Sequence, residues 1–186
     1  MADLTNTRVA VIVSDGFEES ELTEPVKALK EAGAKVDIIS TETGQVQGYN
    51  HLKPAGTVQA DRTIDEISPE EYDAVQLPGG AVNADQLRMN PKLQSFLKAI
   101  DSAGKPIAFI CHAPWELVSA GDLVKGRTLT SYYTIQDDIR NAGGNWVDQE
   151  VVVDGNWVTS RQPSDIPAFN REMLNLFSKV PAGAGR

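Results

Sequence analysis

Lys105-Pro-Ile-Ala-Phe-Ile-Cys-His-Ala-Pro-Trp-Glu116 is the stretch that decides the fold. Ile107, Ala108, Phe109 and Ile110 form a short apolar run, the length expected of a strand buried on both faces. Pro114 stands where a first helical turn accepts proline, because that N–H has no intrahelical partner. Trp115, Leu117, Val118 and a stop at Gly121 complete a short helix. Cys111, the single cysteine of the chain, therefore falls on a sharp turn between a buried strand and a helix start. Hydrolases place nucleophiles on such turns. The turn lifts the side chain out of the sheet, and the first N–H groups of the helix favour negative charge beside it. That setting predicts a thiol titrating below its free value of about 8.5. A lone cysteine is otherwise among the most buried and inert of residues. The strand-turn-helix context and the adjacent His112 favour the reactive reading.

The same alternation repeats outward from this turn. Arg8 to Ser14 is a continuous apolar strand broken by Asp15-Gly16. A helix is predicted from about Glu19 to Glu31, with Leu22, Val26 and Leu29 at helical spacing and Gly33 past its end. Lys35 to Ser40 is the next strand, which completes a βαβ unit of the kind that builds parallel sheets. Thr41 to Ile67 reads as a polar connection with one short strand near Thr57 to Ala60. Ala74 to Leu77 is a buried strand ending at Pro78-Gly79-Gly80, and Asn90-Pro91 caps a helix to about Ala103. Thr128 to Ser131 is a further strand, and Ile135 to Ala142 is helical. Glu150 to Val153 and Trp157 to Thr159 form a hairpin over an Asp154-Gly155 turn. A last helix runs from Ser164 or Asp165 to about Lys179. The pattern predicts an α/β, doubly wound, flavodoxin-like fold: a mainly parallel sheet, helices on both faces, and a small β-hairpin. One domain is expected over residues 1–180, with 181–186 a frayed tail.

Apolar residues make up 41% of the 186-residue chain and charged residues 23%, which excludes a disordered or membrane-like class. The first eight residues carry no apolar run behind a basic start, and no stretch reaches a bilayer-spanning length. A cytoplasmic protein without a membrane partner is expected. One cysteine excludes an intramolecular disulfide, and with only two histidines it argues against a zinc site. No metal and no cofactor are expected. The net charge of -9 argues against a nucleic-acid partner, since phosphate binding draws on clustered Lys and Arg.

Three predicted strands carry distinctive residues at their carboxyl ends, where open parallel sheets bind ligands. They are Asp15-Gly16-Phe17-Glu18-Glu19, Gly79-Gly80 and Cys111-His112. A glycine pair lets backbone N–H groups approach a carbonyl closely, as an oxyanion hole requires, although such a pair also serves as a plain tight turn. Glu18 lies in an acidic run with Glu19, Glu21 and Glu24, most of which is favourable charge at a helix N-terminus. One of these carboxyls near Cys111 would titrate with it as a coupled pair. His112 is a candidate base that needs a third group to orient it, and no sequence neighbour offers one, so the orienting group is expected from another subunit. His51, beside Leu52-Lys53-Pro54, reads as a solvated loop histidine.

These residues resemble the PfpI family of intracellular cysteine hydrolases, within the superfamily of the parkinsonism-associated deglycase and the class I glutamine amidotransferase-like domains. The likeness rests on Asp15-Gly-Phe-Glu-Glu-Ser-Glu-Leu22, Leu77-Pro-Gly-Gly80, Gly104-Lys-Pro-Ile-Ala-Phe-Ile-Cys-His-Ala-Pro114 and Thr159-Ser-Arg-Gln-Pro-Ser-Asp165. It extends to Val124-Lys-Gly-Arg-Thr-Leu-Thr-Ser-Tyr132 and Gln149-Glu-Val-Val-Val-Asp-Gly155. The resemblance implies Cys111 as nucleophile, Glu18 as the carboxyl bonded to its sulfur, and His112 completing the site. It implies Asp85 of a neighbouring subunit as the orienting acid, hence a homodimer or higher homo-oligomer with a shared active site. Gly79 and Gly80 would form the oxyanion hole, with Ala113 and Tyr132 at the substrate pocket. Ala113 stands where the family usually has glycine, Phe109 where it has a small residue, and the segment from Ala81 to Ala84 is one residue longer than in some relatives. No histidine follows His112, so amidotransferase chemistry is not expected.

The leading function implied is a stress-defence hydrolase acting on small carbonyl compounds or on glycated proteins and peptides, as deglycase or glutathione-independent glyoxalase, with intracellular peptidase activity as a further family assignment. The alternatives are a redox-sensing stress protein whose cysteine is oxidised with little turnover, and a structural oligomer with a vestigial site.

Overall fold

A computed structural model describes residues 2–180. The amino-terminal half runs β1 (Arg8–Ile12), β2 (Phe17–Glu18), α1 (Glu19–Glu31), β3 (Lys35–Ser40), β4 (Gly44–Asn50), β5 (Lys53–Ala60), β6 (Arg62–Thr63), β7 (Ala74–Leu77), α2 (Ala81–Leu87) and α3 (Pro91–Ser102). The remainder runs β8 (Ile107–Ile110), α4 (Pro114–Ser119), β9 (Thr128–Leu129), α5 (Gln136–Asn141), β10 (Asn145–Trp146), β11 (Val152–Asp154), β12 (Trp157–Ser160) and α6 (Ile166–Phe177). The central sheet has the order β11-β12-β8-β7-β1-β3-β6, and every pairing in it is parallel except β11 with β12. This is the α/β, mainly parallel architecture that the alternating apolar runs predict.

Side chains alternate along a strand, so each strand feeds two cores. Val9 and Val11 of β1 pack with Leu22, Val26 and Leu29 of α1 and with Phe169, Met173 and Phe177 of α6. Ala10 and Ile12 face the other way, with Leu93, Phe96, Leu97 and Ile100 of α3 and Leu117 of α4. Asn90 starts α3 as its residue type predicts: its Oδ1 accepts from the N–H groups of Lys92 and Leu93, both at 3.0 Å.

Three features depart from the expectation. The segment from Thr41 to Ile67 is more than a polar connection; the strand expected near Thr57 to Ala60 is the end of β5, which pairs antiparallel with β4, and β2 joins β4, in a second small sheet that reaches out to His51 and Leu52. The hairpin near the carboxyl end is no appendage, since β12 is fully buried in the central sheet against β8. Residues 128–129 form a strand, but pair with β10 outside that sheet. The tail expected at 181–186 lies outside the described residues.

Strand order reverses between β1 and β7, with β3 leading one way and β8 the other. The crevice outside the carboxyl ends at such a point is where these sheets bind ligands. The turns after β1, β7 and β8 all end there.

Candidate active site

Cys111 follows the last residue of β8 with φ +65°, a left-handed backbone that non-glycine residues rarely adopt. Its conformation is held from both sides. Its N–H donates to the Ser160 carbonyl at 3.1 Å, and its carbonyl accepts from the Tyr132 N–H at 2.8 Å. Ala113, by contrast, is ordinary helical backbone at φ -55°. Its methyl is buried in the core on the α3 side and does not line the cleft, which corrects its expected place in the pocket. Phe109 points into the same core, edge-on to Trp157 at 5.2 Å.

The carboxyl at the sulfur is Glu21, not Glu18. Glu21 is fully buried, its Oε2 accepts the Gly79 N–H at 2.9 Å, its Oε1 has no hydrogen-bond partner among the described residues, and its carboxyl lies close enough to Cys111 for each group to shift the other's pKa. Glu18 turns instead to the β4–β5 hairpin, where its Oε2 accepts the His51 N–H at 3.0 Å. The reason is helical geometry. Glu18 precedes the helix, whereas Glu21 lies on the stripe with Leu22, Pro25, Val26 and Leu29 that α1 buries against the sheet. That spacing is readable in the sequence and was the available signal for Glu21. The acidic run also does more than favour a helix end. Glu19 accepts the Gly56 N–H at 2.8 Å, so three of its four carboxyls have specific partners.

The glycine pair divides its labour. A Cβ on Gly79 would lie 2.2 Å from Glu21 Oε2 and 2.5 Å from Cys111 Cβ, so only glycine fits between them. The Gly79 N–H is spent on Glu21, which corrects its expected place in the oxyanion hole. The donors facing the sulfur are the N–H groups of Gly80 and His112. Gly80 itself has φ +99° and passes so close to Gly16 that a Cβ would lie 2.3 Å from the Gly16 carbonyl oxygen.

Burial first, and then the neighbouring charge of Glu18, raise the Glu21 carboxyl to about 8, against the opposing pull of the Gly79 N–H and the Cys111 thiol. At neutral pH it carries a proton it can donate to sulfur. Burial, and then the Glu21 carboxylate when ionised, push the Cys111 thiol well up; the Gly80 and His112 N–H groups work the other way. That direction is opposite to the one a helix start alone would give. The sulfur sits too deep, at 7% residue exposure, for a six-residue helix to compensate.

His112 Nδ1 lies 3.2 Å from Cys111 Sγ. The ring stacks on Tyr132 at 4.9 Å and meets Trp115 edge-on at 5.3 Å. Burial lowers its pKa, which leaves a neutral imidazole able to take a proton. Among the described residues no carboxylate hydrogen-bonds it. Asp85 lies on the exposed side of α2 and does not line the cleft.

All this opens into a cleft of about 1050 Å³ lined by Asp15, Tyr49, His51, Val82, Tyr132 and Pro163 among others. His51, read as a solvated loop residue, is indeed exposed at the hairpin tip, yet forms part of the wall. Tyr49 and Pro163 were not foreseen there. A strained cysteine, a buried protonated carboxyl and two convergent N–H groups thus meet at the sheet's switch point, the arrangement expected of a candidate active site in an α/β protein.

The chain belongs to the DJ-1/PfpI family, whose sequence profile matches residues 7–176. It is similar to a deglycase of Thermococcus kodakarensis, at 45% identity over 91% of this chain and 98% of that one. It is similar to protein/nucleic acid deglycase 2 of Escherichia coli at 44% identity, over 91% of this chain and 96% of that one, and to general stress protein 18 of Bacillus subtilis at 44%, over 92% and 98%. Among solved structures, a two-domain protein of Anabaena variabilis with DJ-1/ThiJ/PfpI-like and ferritin-like domains matches at TM-score 0.86 and 34% identity, over 91% of this chain and 47% of that one. DJ-1beta of Drosophila melanogaster matches at TM-score 0.84 and 27% identity, over 95% and 91%. No described helix is long and apolar enough to cross a membrane.

Proposed function

We propose that the protein is a PfpI-type deglycase, which hydrolyses the early adducts that small dicarbonyls form on amines. The observation that carries this reading is Cys111 at φ +65° between the proton of Glu21 and the N–H groups of Gly80 and His112. For a methylglyoxal adduct, the Cys111 thiolate displaces the amine from the carbinol carbon, giving a hemithioacetal. His112, 3.2 Å from the sulfur, moves a proton from that carbon to the adjacent carbonyl carbon. The resulting lactate thioester is hydrolysed by water, which frees the thiol. Adduct plus water thus gives amine plus lactate. The Gly80 and His112 N–H groups beside the sulfur are the donors available to the oxygen that carries charge.

The orienting acid for His112 is Asp85 of a second copy. Two facts support this: the imidazole finds no carboxylate among the described residues of its own chain, and α2 displays Asp85 on the same exposed helix as the cleft residue Val82. The working unit is then a homodimer or larger assembly. The test of the function is lactate release from methylglyoxal-treated N-acetyl-lysine and N-acetyl-arginine without added thiol. Turnover abolished in Cys111→Ser is expected; turnover unchanged in that variant overturns the reading.

A further inference from the structure

We propose that Gln76 is a positioning residue for the Cys111–Glu21 pair, because its side chain replaces the helix hydrogen bond that Pro25 removes from Glu21. The inference rests on Cys111 being the nucleophile. In an α-helix the carbonyl of residue 21 accepts from the N–H of residue 25. Pro25 lies inside α1 and has no N–H, and its ring crowds that same carbonyl. The Glu21 carbonyl would therefore be orphaned in the protein interior, one turn into the helix that carries the carboxyl. The Gln76 Nε2 donates to it at 3.2 Å.

Gln76 is the one polar side chain in β7, between Val75 and Leu77, and it is fully buried. Its own Oε1 has no hydrogen-bond partner among the described residues. A buried amide satisfied at one end only is a net cost unless the satisfied end does something needed. Here the same strand and its turn grip Glu21 at two points. Gln76 holds the backbone and the Gly79 N–H holds the carboxyl at 2.9 Å. With both fixed, the carboxyl has little freedom to swing away from sulfur.

The test is the pH profile of Cys111 alkylation by iodoacetamide, followed by mass. While Glu21 is held at the sulfur, its ionisation near pH 8 opposes the thiolate, so the rate stops rising there. Gln76→Leu suits a buried strand but leaves the carbonyl unpaired. It is expected to raise alkylation at pH 9 by roughly threefold or more, equivalent to half a unit in pKa, and to lower kcat with little change in KM. Adding Pro25→Ala restores an N–H at the right place, so the double variant is expected to return to the wild-type profile. If Gln76→Leu alone does not fold, the double variant carries the test by folding with that profile. A Gln76→Leu profile that superimposes on wild type, or a double variant that fails to restore it, overturns the inference. Failure of the underlying reading is distinct: Cys111 of the unmodified protein would be unreactive at every pH.

Discussion

Glu21→Gln isolates what the buried carboxyl does to the thiol. The glutamine can keep the Gly79 contact through its carbonyl oxygen and offer the sulfur a permanent N–H, but it cannot ionise. In the native pair, thiolate forms beside a neutral Glu21 below about pH 8 and beside a carboxylate above it. Two unit charges about 4 Å apart repel by roughly 4 kcal/mol at an effective dielectric of about 20. At about 1.4 kcal/mol per pKa unit, that separates the two thiolate-forming steps by up to about three units. The alkylation rate of the native protein should therefore rise tenfold per pH unit to about pH 8, and then run flat before rising again. Glu21→Gln should show one uninterrupted titration. Below pH 8 the two proteins should react alike, and at pH 9 the variant should be faster by about tenfold, one pH unit of thiolate formation. The assay is the second-order rate with iodoacetamide from pH 6 to pH 10, with Glu21→Leu as the variant lacking both donor and acceptor. Superimposed profiles, or a variant slower at pH 9, would refute the coupling.

Two further expectations follow from other parts of the molecule. Glu116 is fully buried in α4, with neither carboxyl oxygen hydrogen-bonded among the described residues, and burial holds its pKa well above the ordinary range. The folded protein then keeps a proton that the unfolded chain releases above about pH 4.3, so stability falls as pH rises through that window. Glu116→Leu should flatten that slope and gain about 1–3 kcal/mol at pH 8 in urea denaturation; an unchanged slope would contradict it. Mixing Cys111→Ser with Asp85→Asn tests the shared site. Subunits reassorted at random into dimers should recover about a quarter of native turnover, because half the dimers are mixed and each holds one complete site. No recovery, with exchange verified by mass, would place the orienting acid elsewhere.

The parts of the fold legible in the sequence are those buried on both faces. β1, β3, β7 and β8 read as apolar runs because helices cover them on either side. The β4–β5 pair was illegible for the opposite reason. Most of its side chains meet solvent, so Gln45, Gln47 and Gln59 stand where an apolar alternation would have announced strands. α2 was equally silent. It is short and follows Gly80, which offers no side-chain cap. What orders it is Asn83, whose Nδ2 donates to the Pro78 and Gly79 carbonyls at 3.1 Å while its Oδ1 accepts the Ser14 N–H at 2.7 Å. In the candidate site, Cys111, His112 and the glycine turn were legible as residue types after strands. The choice between Glu18 and Glu21 needed the helix phase, and the direction of the thiol's pKa needed depth, which no local pattern encodes.

Depth also explains why the carboxyl-terminal hairpin matters to chemistry. A non-glycine residue at positive φ costs about 1–3 kcal/mol and persists only where its surroundings over-determine it. Two backbone hydrogen bonds, each worth about 1 kcal/mol net, hold Cys111 there. One comes from the Ser160 carbonyl at the end of β12, the other from the Tyr132 N–H beyond β9. Ser160 is fixed in turn, since its hydroxyl donates to the Glu150 carbonyl at 2.5 Å. β12 is thus both a core strand and the strut of Cys111. The Gly155-Asn156 turn that returns the chain into β12 shapes the site from the far end of the strand, because a slip in the β12–β8 register moves the Ser160 carbonyl away from the Cys111 N–H and breaks one of the two bonds that hold the cysteine strained.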